Sequence, residues 1–188
     1  SNDLDLYKAY LVKLSEIGII HKMDIYLSIY YRMVGLYNVL PHNYEESHQY
    51  YDQSIETIKK AKGFFNYNFL NMVASINYKG DVYKYQKDYI NAELCYKKAI
   101  EICENKKVSK SMNLLYKNYG EILYMIGDPQ LAKTYLDKSI QYSNRLSSYW
   151  ERSIAECYLA VIYFDEGDDD KAKEHLAKGE IYISEYSG

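Results

Sequence analysis

Residues 77–100 read NYKGDVYKYQKDYINAELCYKKAI, and the spacing of small, acidic and aromatic residues in this stretch returns twice downstream. Gly80 recurs as Gly120 and then as Ala160, at steps of 40 residues. The other positions that repeat at this step are Asp88, Asp128 and Asp168, and Ala92, Ala132 and Ala172. An internal period of this size is typical of stacked supersecondary units.

An earlier copy of the pattern lies outside this register. Its residues Gly35, Asn43, Ser47 and Ser54 precede Gly80, Asp88, Ala92 and Ala99 by 45 residues each. Additional residues therefore separate the first two copies. Before them, apolar residues at helical spacing over residues 4–17 predict an unpaired N-terminal helix that ends at Gly18.

Each copy predicts two antiparallel helices joined by a tight turn. A glycine inside an apolar helical pattern costs roughly 1 kcal/mol relative to alanine, so Gly35, Gly80 and Gly120 predict close contact with a neighbouring helix. Asp88, Asp128 and Asp168 precede the second helix, where aspartate is a preferred N-cap residue. The repeated positions therefore mark both the packing of the helices and their starts.

The turns carry further markers. Gly127 and Gly167 directly precede two of the capping aspartates and predict the ends of the first helices. In the first copy, Asn43 followed by Glu46 three residues later predicts a capping box.

These markers predict an all-α protein with an N-terminal helix followed by about four helix pairs in one domain, residues 1–188. The pairs are expected near residues 22–62, 66–104, 111–145 and 148–186. Ser1 and Asn2 are typical of residues left by cloning, and the chain is expected to be a piece of a longer protein.

Small and aromatic residues in the second copy resemble the tetratricopeptide repeat (TPR). The residues that carry this resemblance are Gly80, Tyr83, Ala92, Tyr96 and Ala99. It extends over about residues 29–186 and implies a right-handed superhelical solenoid of helix pairs. The interval of 40 residues exceeds the usual unit of about 34. Units of this length resemble the TPR sensor domains of bacterial regulators.

Composition excludes several classes of function. The net charge is −3 and no basic stripe is present, so nucleic acid is not an expected partner of this segment. No apolar run reaches the length of about 18 residues that spans a bilayer, so a membrane is not an expected partner either. The cysteines are Cys95, Cys103 and Cys157; an odd, scattered set fits a reducing cytoplasm.

Tyrosine is unusually common, with 25 residues against four phenylalanines and one tryptophan. One interpretation is that the excess reflects an AT-rich genome. A tyrosine also combines an apolar body with a polar tip, which suits both packing between helices and a partly wet groove.

No motif predicts catalysis. The four histidines show no metal-ligand spacing, and the acidic run at residues 166–170 lacks the ligand pattern of an EF-hand. No phosphate-binding loop or nucleophile constellation is present. The chain is therefore expected to hold no metal or cofactor and not to be an enzyme.

One face of the first helices is left free by the predicted packing, and in proteins that this chain resembles it lines a concave groove. The predicted partner-binding residues on it are Asn77, Asp81, Lys84, Tyr85, Lys117, Asn118, Glu121 and Tyr124. The matching positions in the outer pairs are more apolar: Arg32, Leu36, Val39, Leu40, Cys157, Val161, Phe164 and Asp165. An alternative is that this face is a solvated stripe, or is covered by neighbouring units.

The leading hypothesis is a protein- or peptide-binding scaffold, the sensor or interaction segment of a bacterial transcriptional regulator. Asn77 and Asn118 are candidates for binding the backbone amides of a peptide, and Lys117 is a candidate for binding a carboxylate. Alternatively, Asp81 and Lys117 form a structural ion pair between units. Two other functions stay open: a self-association module, such as a homodimer, and an enzyme with an unrecognised site.

Overall fold

A computed structural model describes the backbone of residues 2–61, 65–146 and 148–187, and the side chains of residues 6–61, 68–146 and 148–181. All regular secondary structure in these segments is helical. The helices are α1 (Asn2–Ile20), α2 (Asp24–Val39), α3 (Tyr44–Lys60), α4 (Phe65–Tyr85), α5 (Tyr89–Asn105), α6 (Met112–Met125), α7 (Pro129–Leu146), α8 (Tyr149–Asp165) and α9 (Asp169–Ser187).

The helices follow the predicted order of one helix and then four pairs. Helix α2 packs on α3, α6 on α7, and α8 on α9, while α1 packs on α2. The all-α fold class is therefore confirmed. Contacts divide the chain into two compact units, Ser1–Cys95 and Tyr96–Gly188, and the boundary falls within α5. The expected single domain stays a prediction.

The repeated small residues lie where helices approach closely. A Cβ atom built on Gly35 would lie 3.0 Å from Cε1 of Tyr51, and one built on Gly120 would lie 2.8 Å from Cγ of Leu136. Tyr51 and Leu136 are both fully buried. The predicted close contact between the helices of a pair is confirmed at these two positions.

The aspartates cap the second helices as predicted. Oδ1 of Asp88, Asp128 and Asp168 accepts a hydrogen bond from the backbone amide three residues later, at 3.2, 3.0 and 3.2 Å. The predicted capping box at Asn43 is wrong, because the Asn43 side chain makes no capping hydrogen bond. The Asn43 ψ angle of 62° departs from the extended conformation usual at an N-cap.

Two glycines in the left-handed conformation follow the ends of α6 and α8. Gly127 and Gly167 have φ angles of 91° and 78°, as a helix-ending glycine requires. The predicted end of α1 at Gly18 is wrong, because α1 continues to Ile20. Gly18 is instead a close-contact position, where an added Cβ would lie 3.0 Å from Cβ of Leu27.

Candidate functional site

The unit Ser1–Cys95 contains a cavity of about 570 Å³, here called the tyrosine cavity. Helices α1 to α4 supply its lining, together with Leu40, which directly follows α2. The lining residues are Tyr7, Leu36, Tyr37, Val39, Leu40, Tyr51, Tyr78, Asp81, Val82 and Tyr85. Nearly all of them are aromatic or aliphatic, and a mostly apolar cavity of this size is typical of binding sites.

The position of the cavity follows from the repeat register. Leu36, Val39 and Leu40 lie on the face of α2 that the sequence assigns to the groove, and all three line the cavity. The side chain of Leu40 is 80% exposed and that of Tyr85 is 59% exposed. The rim therefore presents apolar surface to the solvent.

Contacts among the tyrosines fix the walls of the cavity. The Tyr7 hydroxyl donates a hydrogen bond to the Met33 carbonyl oxygen at 2.6 Å. The rings of Tyr7 and Tyr37 stack with centroids 6.0 Å apart, and those of Tyr51 and Tyr78 stack at 6.3 Å. Because these rings hold one another, little side-chain freedom remains to be lost when a ligand binds.

Tyr51 and Asp81 are lining residues that carry polar groups. The Tyr51 hydroxyl is buried and makes no hydrogen bond of ordinary geometry with the described residues. Burial raises the pKa of Tyr51 above its usual value, so the phenol stays protonated. Asp81 supplies a carboxylate, whose Oδ2 accepts a hydrogen bond from Nδ2 of Asn77 at 3.4 Å.

Comparison with known proteins identifies the repeat. Residues 75–106, which comprise the second half of α4 and all of α5, match the family model of the tetratricopeptide repeat. The chain carries a tetratricopeptide repeat. A TPR repeat-containing protein of Methanocaldococcus jannaschii is 30% identical over 120 residues, 62% of this chain. The chain covers only 20% of the length of that relative.

Solved structures with TPR-like folds share the arrangement at low sequence identity. RapI in its apo form is similar with a TM-score of 0.80 and 12% identity, over 98% of this chain and 64% of that one. BtubC from P. vanneervenii is similar with a TM-score of 0.76 and 16% identity, over 98% of this chain and 73% of that one. Aspartyl phosphate phosphatase F from Bacillus subtilis is similar with a TM-score of 0.67 and 15% identity, over 95% of this chain and 58% of that one. At these identities the likeness concerns the fold alone.

The four predicted site residues of the TPR helix α4 lie in different environments. Asn77 is buried, whereas Asp81 and Lys84 are half-buried and Tyr85 is exposed. Asp81 and Tyr85 both line the tyrosine cavity. Asn77 does not line it but contacts Asp81 through its amide.

The four predicted site residues of α6 lie in the unit Tyr96–Gly188. Lys117, Asn118 and Glu121 are buried, and Glu121 accepts a hydrogen bond from the Tyr158 hydroxyl of α8. The half-buried Tyr124 donates its hydroxyl hydrogen to Oδ2 of Asp165 at 2.6 Å. The expected side-by-side placement of the α4 and α6 residues stays a prediction.

The sequence did not identify the aromatic walls of the cavity. Tyr7, Tyr37, Tyr51 and Tyr78 were not assigned to the groove. The tyrosine excess was the one signal available, because tyrosine suits a partly wet groove.

The arrangement offers binding by apolar burial. Among the described residues, no group of three or more histidine, cysteine, aspartate or glutamate side chains is placed to hold a metal ion. No helix in the described segments is both long and apolar enough to cross a membrane.

Proposed function

We propose that this chain is a protein- or peptide-binding TPR scaffold and that the tyrosine cavity is where the partner binds. The observation that carries the proposal is the apolar cavity of about 570 Å³ with an exposed rim in the unit Ser1–Cys95. Burying that rim under apolar side chains of a partner releases water and is favourable at about 25 cal/mol per Å².

The named residues have different roles in this proposal. Tyr85 and Asp81 contact the partner, and Asn77 holds the Asp81 carboxylate in place through its hydrogen bond of 3.4 Å. The partner is a peptide or protein segment with apolar side chains that fill the cavity. A contact from Lys84 to the same partner belongs to this proposal as well. Lys117, Asn118, Glu121 and Tyr124 are proposed binding residues of the unit Tyr96–Gly188, considered by itself.

The proposed setting is a sensor or interaction segment of a bacterial transcriptional regulator in the cytoplasm, without catalytic activity of its own. The repeat interval of 40 residues and the fold likeness to RapI support the regulatory setting. The absence of catalytic activity is proposed because the sequence contains no catalytic motif. The test is the coding sequence on both sides of this segment. A helix-turn-helix or ATPase domain supports the setting, and an unrelated enzyme domain contradicts it.

The binding site is tested by selecting peptides from a displayed random library on the wild-type protein. Leu36→Glu and Leu40→Glu place a charge on the exposed rim and should weaken the selected peptides about tenfold or more. The matched control is Ile19→Glu on α1, since Ile19 is 66% exposed, between Leu36 at 43% and Leu40 at 80%, and does not line the cavity. Peptides that bind all three variants with wild-type affinity would contradict the proposal.

A further inference from the structure

The Tyr51 hydroxyl is a buried hydrogen-bond donor on a residue that lines the tyrosine cavity. The Tyr51 side chain is fully buried, and its hydroxyl makes no hydrogen bond of ordinary geometry with the described residues. Ser47, on the preceding turn of α3, interacts with the Tyr51 oxygen but donates its own hydroxyl hydrogen to the Gly35 carbonyl oxygen at 2.7 Å. A buried donor without a good partner is costly and requires an explanation.

The repeat shows that packing within a helix pair does not require this hydroxyl. Tyr51 packs against Gly35, where an added Cβ would lie 3.0 Å from its Cε1. At the corresponding positions of the third copy, Leu136 packs against Gly120 and is fully buried. A leucine therefore fills the place of the Tyr51 ring in another pair. Packing against the glycine explains the ring of Tyr51 but not its hydroxyl.

The ionisable groups around the hydroxyl belong to the cavity. Burial is the main cause of the raised pKa of Tyr51, and electrostatic interactions with Asp81, Tyr78 and Tyr7 raise it further. All three of these residues line the cavity. The hydroxyl therefore lies among cavity-lining residues, where a ligand that fills the cavity can supply a hydrogen-bond acceptor.

The charges near the hydroxyl favour a neutral acceptor. Among the described lining residues, Asp81 alone is charged at neutral pH, and its carboxylate would repel an anionic acceptor. Arg32 of α2 lies outside the lining but within electrostatic range of Tyr51 and Tyr78. Its guanidinium donates a hydrogen bond to Oδ1 of Asn71 at 3.1 Å. Because one charge of each sign lies near the hydroxyl, neither an anionic nor a cationic ligand group is favoured.

A primary amide meets these conditions. Its oxygen can accept a hydrogen bond from Tyr51, and its nitrogen can donate one to Asp81. An ionised carboxylate accepts several hydrogen bonds, so the bond of 3.4 Å from Asn77 does not exhaust Asp81. Because Tyr51 is fully buried, a group at the end of a side chain is suited to reach its hydroxyl. A backbone amide would need the peptide chain itself to enter the cavity.

We propose that the tyrosine cavity binds a glutamine or asparagine side chain of the partner peptide. The amide oxygen accepts a hydrogen bond from the Tyr51 hydroxyl, and the amide nitrogen donates to the Asp81 carboxylate. Apolar residues on either side of that side chain cover the rim. This inference rests on the function proposed for the cavity and adds the polar group by which the partner is selected.

The probes are pools of fluorescein-labelled octapeptides with random apolar residues around one fixed central residue. That residue is glutamine, asparagine, methionine, glutamate or lysine, and methionine has nearly the shape of glutamine without its hydrogen bonds. Fluorescence anisotropy measures the affinity of each pool for the intact protein. The glutamine or the asparagine pool should bind the wild-type protein about tenfold or more tightly than the methionine pool, because the buried hydroxyl gains a partner.

Three variants assign the preference to the named groups. Tyr51→Phe keeps the ring and removes the hydroxyl, so the affinity of the amide pools should fall to that of the methionine pool. Asp81→Asn removes the negative charge and should strengthen binding of the glutamate pool. The control Tyr50→Phe removes the hydroxyl of a half-buried tyrosine on the same helix that does not line the cavity, and it should keep the preference.

The Tyr51→Phe protein should unfold at the wild-type temperature or above, since it loses no hydrogen bond of ordinary geometry. A lower unfolding temperature would overturn the inference, because the hydroxyl would then have a structural partner. So would a Tyr51→Phe protein that keeps the wild-type preference, or a wild-type protein that binds the glutamate or lysine pool most tightly.

The pools also separate this inference from the function on which it rests. Equal binding of all pools would overturn the amide but leave the cavity as an apolar peptide site. No binding of any pool would contradict the function proposed for the cavity as well. A wild-type protein that then self-associates would assign the cavity to a second copy of the chain.

Discussion

At the residue scale, Gly120 shows how one missing side-chain atom sets the distance between two helices. A Cβ atom at Gly120 would lie 2.8 Å from Cγ of Leu136 and 3.2 Å from the backbone oxygen of Ala132. The Ala132 oxygen belongs to the backbone of α7, so it cannot move unless the helix moves. A side chain at position 120 therefore requires Leu136 and α7 to shift.

Gly120→Leu should therefore lower the free energy of unfolding by about 1–3 kcal/mol or more, because overpacking forces α6 and α7 apart. Urea denaturation followed by circular dichroism measures the loss. The control Gln141→Ala on the exposed face of α7 should change the free energy of unfolding by less than about 0.5 kcal/mol. Equal midpoints for the two variants would mean that the repeat register is misplaced.

Repetition made some residues predictable and left others ambiguous. Gly120 could be assigned to a close contact because the same residue type returns at the same place in three copies. Gly18 has no repeated equivalent, and a single glycine fits a helix end and a packing contact equally well. The neighbouring Leu27 decides between the two, and this proximity is visible only in the fold.

At the scale of the helices, the N-cap residues of two copies differ in the structure although the sequence predicts the same role for both. Asp128 accepts a hydrogen bond from the Leu131 amide at 3.0 Å, whereas Asn43 makes no capping bond. Residue type alone could not separate them, since both are preferred N-cap residues. Asn43 has a ψ angle of 62°, which departs from the extended conformation usual at an N-cap.

Asp128→Ala should lower the free energy of unfolding by about 0.5–2 kcal/mol, because the Leu131 amide loses its partner. Asn43→Ala should have an effect close to zero, since no capping bond is lost. Urea denaturation of both variants against the wild type checks the contrast. Equal losses at the two positions would contradict the capping geometry described here.

The helix pairs were more predictable than the candidate site. Helix starts depend on local chemistry, so the Asp88, Asp128 and Asp168 caps placed the second helices correctly. The tyrosine cavity depends on rings from four helices that meet in space. A tyrosine such as Tyr78 has the same periodicity whether it fills a core or lines a cavity, so periodicity could not assign it.

At the scale of the whole molecule, buried thiol and phenol groups make the free energy of unfolding depend on pH in the alkaline range. Burial raises the pKa of Cys103 to about 11, from 9.0. Burial also raises the pKa of Tyr51, Tyr116 and Tyr158 above the usual 10.0. In the unfolded chain these groups lose their protons at lower pH than in the folded one, so rising pH favours unfolding.

The free energy of unfolding should therefore be unaffected by these groups below about pH 9 and should fall as the pH rises towards about 11. Urea denaturation at intervals across this range measures the fall. Tyr116→Phe removes one of the groups and should give a shallower slope than the wild type. A wild-type stability that stayed constant over this range would contradict the buried state of these side chains.

Binding in the tyrosine cavity is tested most directly by the methyl NMR spectrum of protein labelled at leucine and valine, recorded with and without a selected peptide. The methyl groups of Leu36, Leu40 and Val82 should shift on binding, because they line the cavity, while those of Leu94 and Leu146 should not. Saturable binding that leaves the cavity methyl groups unshifted would contradict the tyrosine cavity as the binding site.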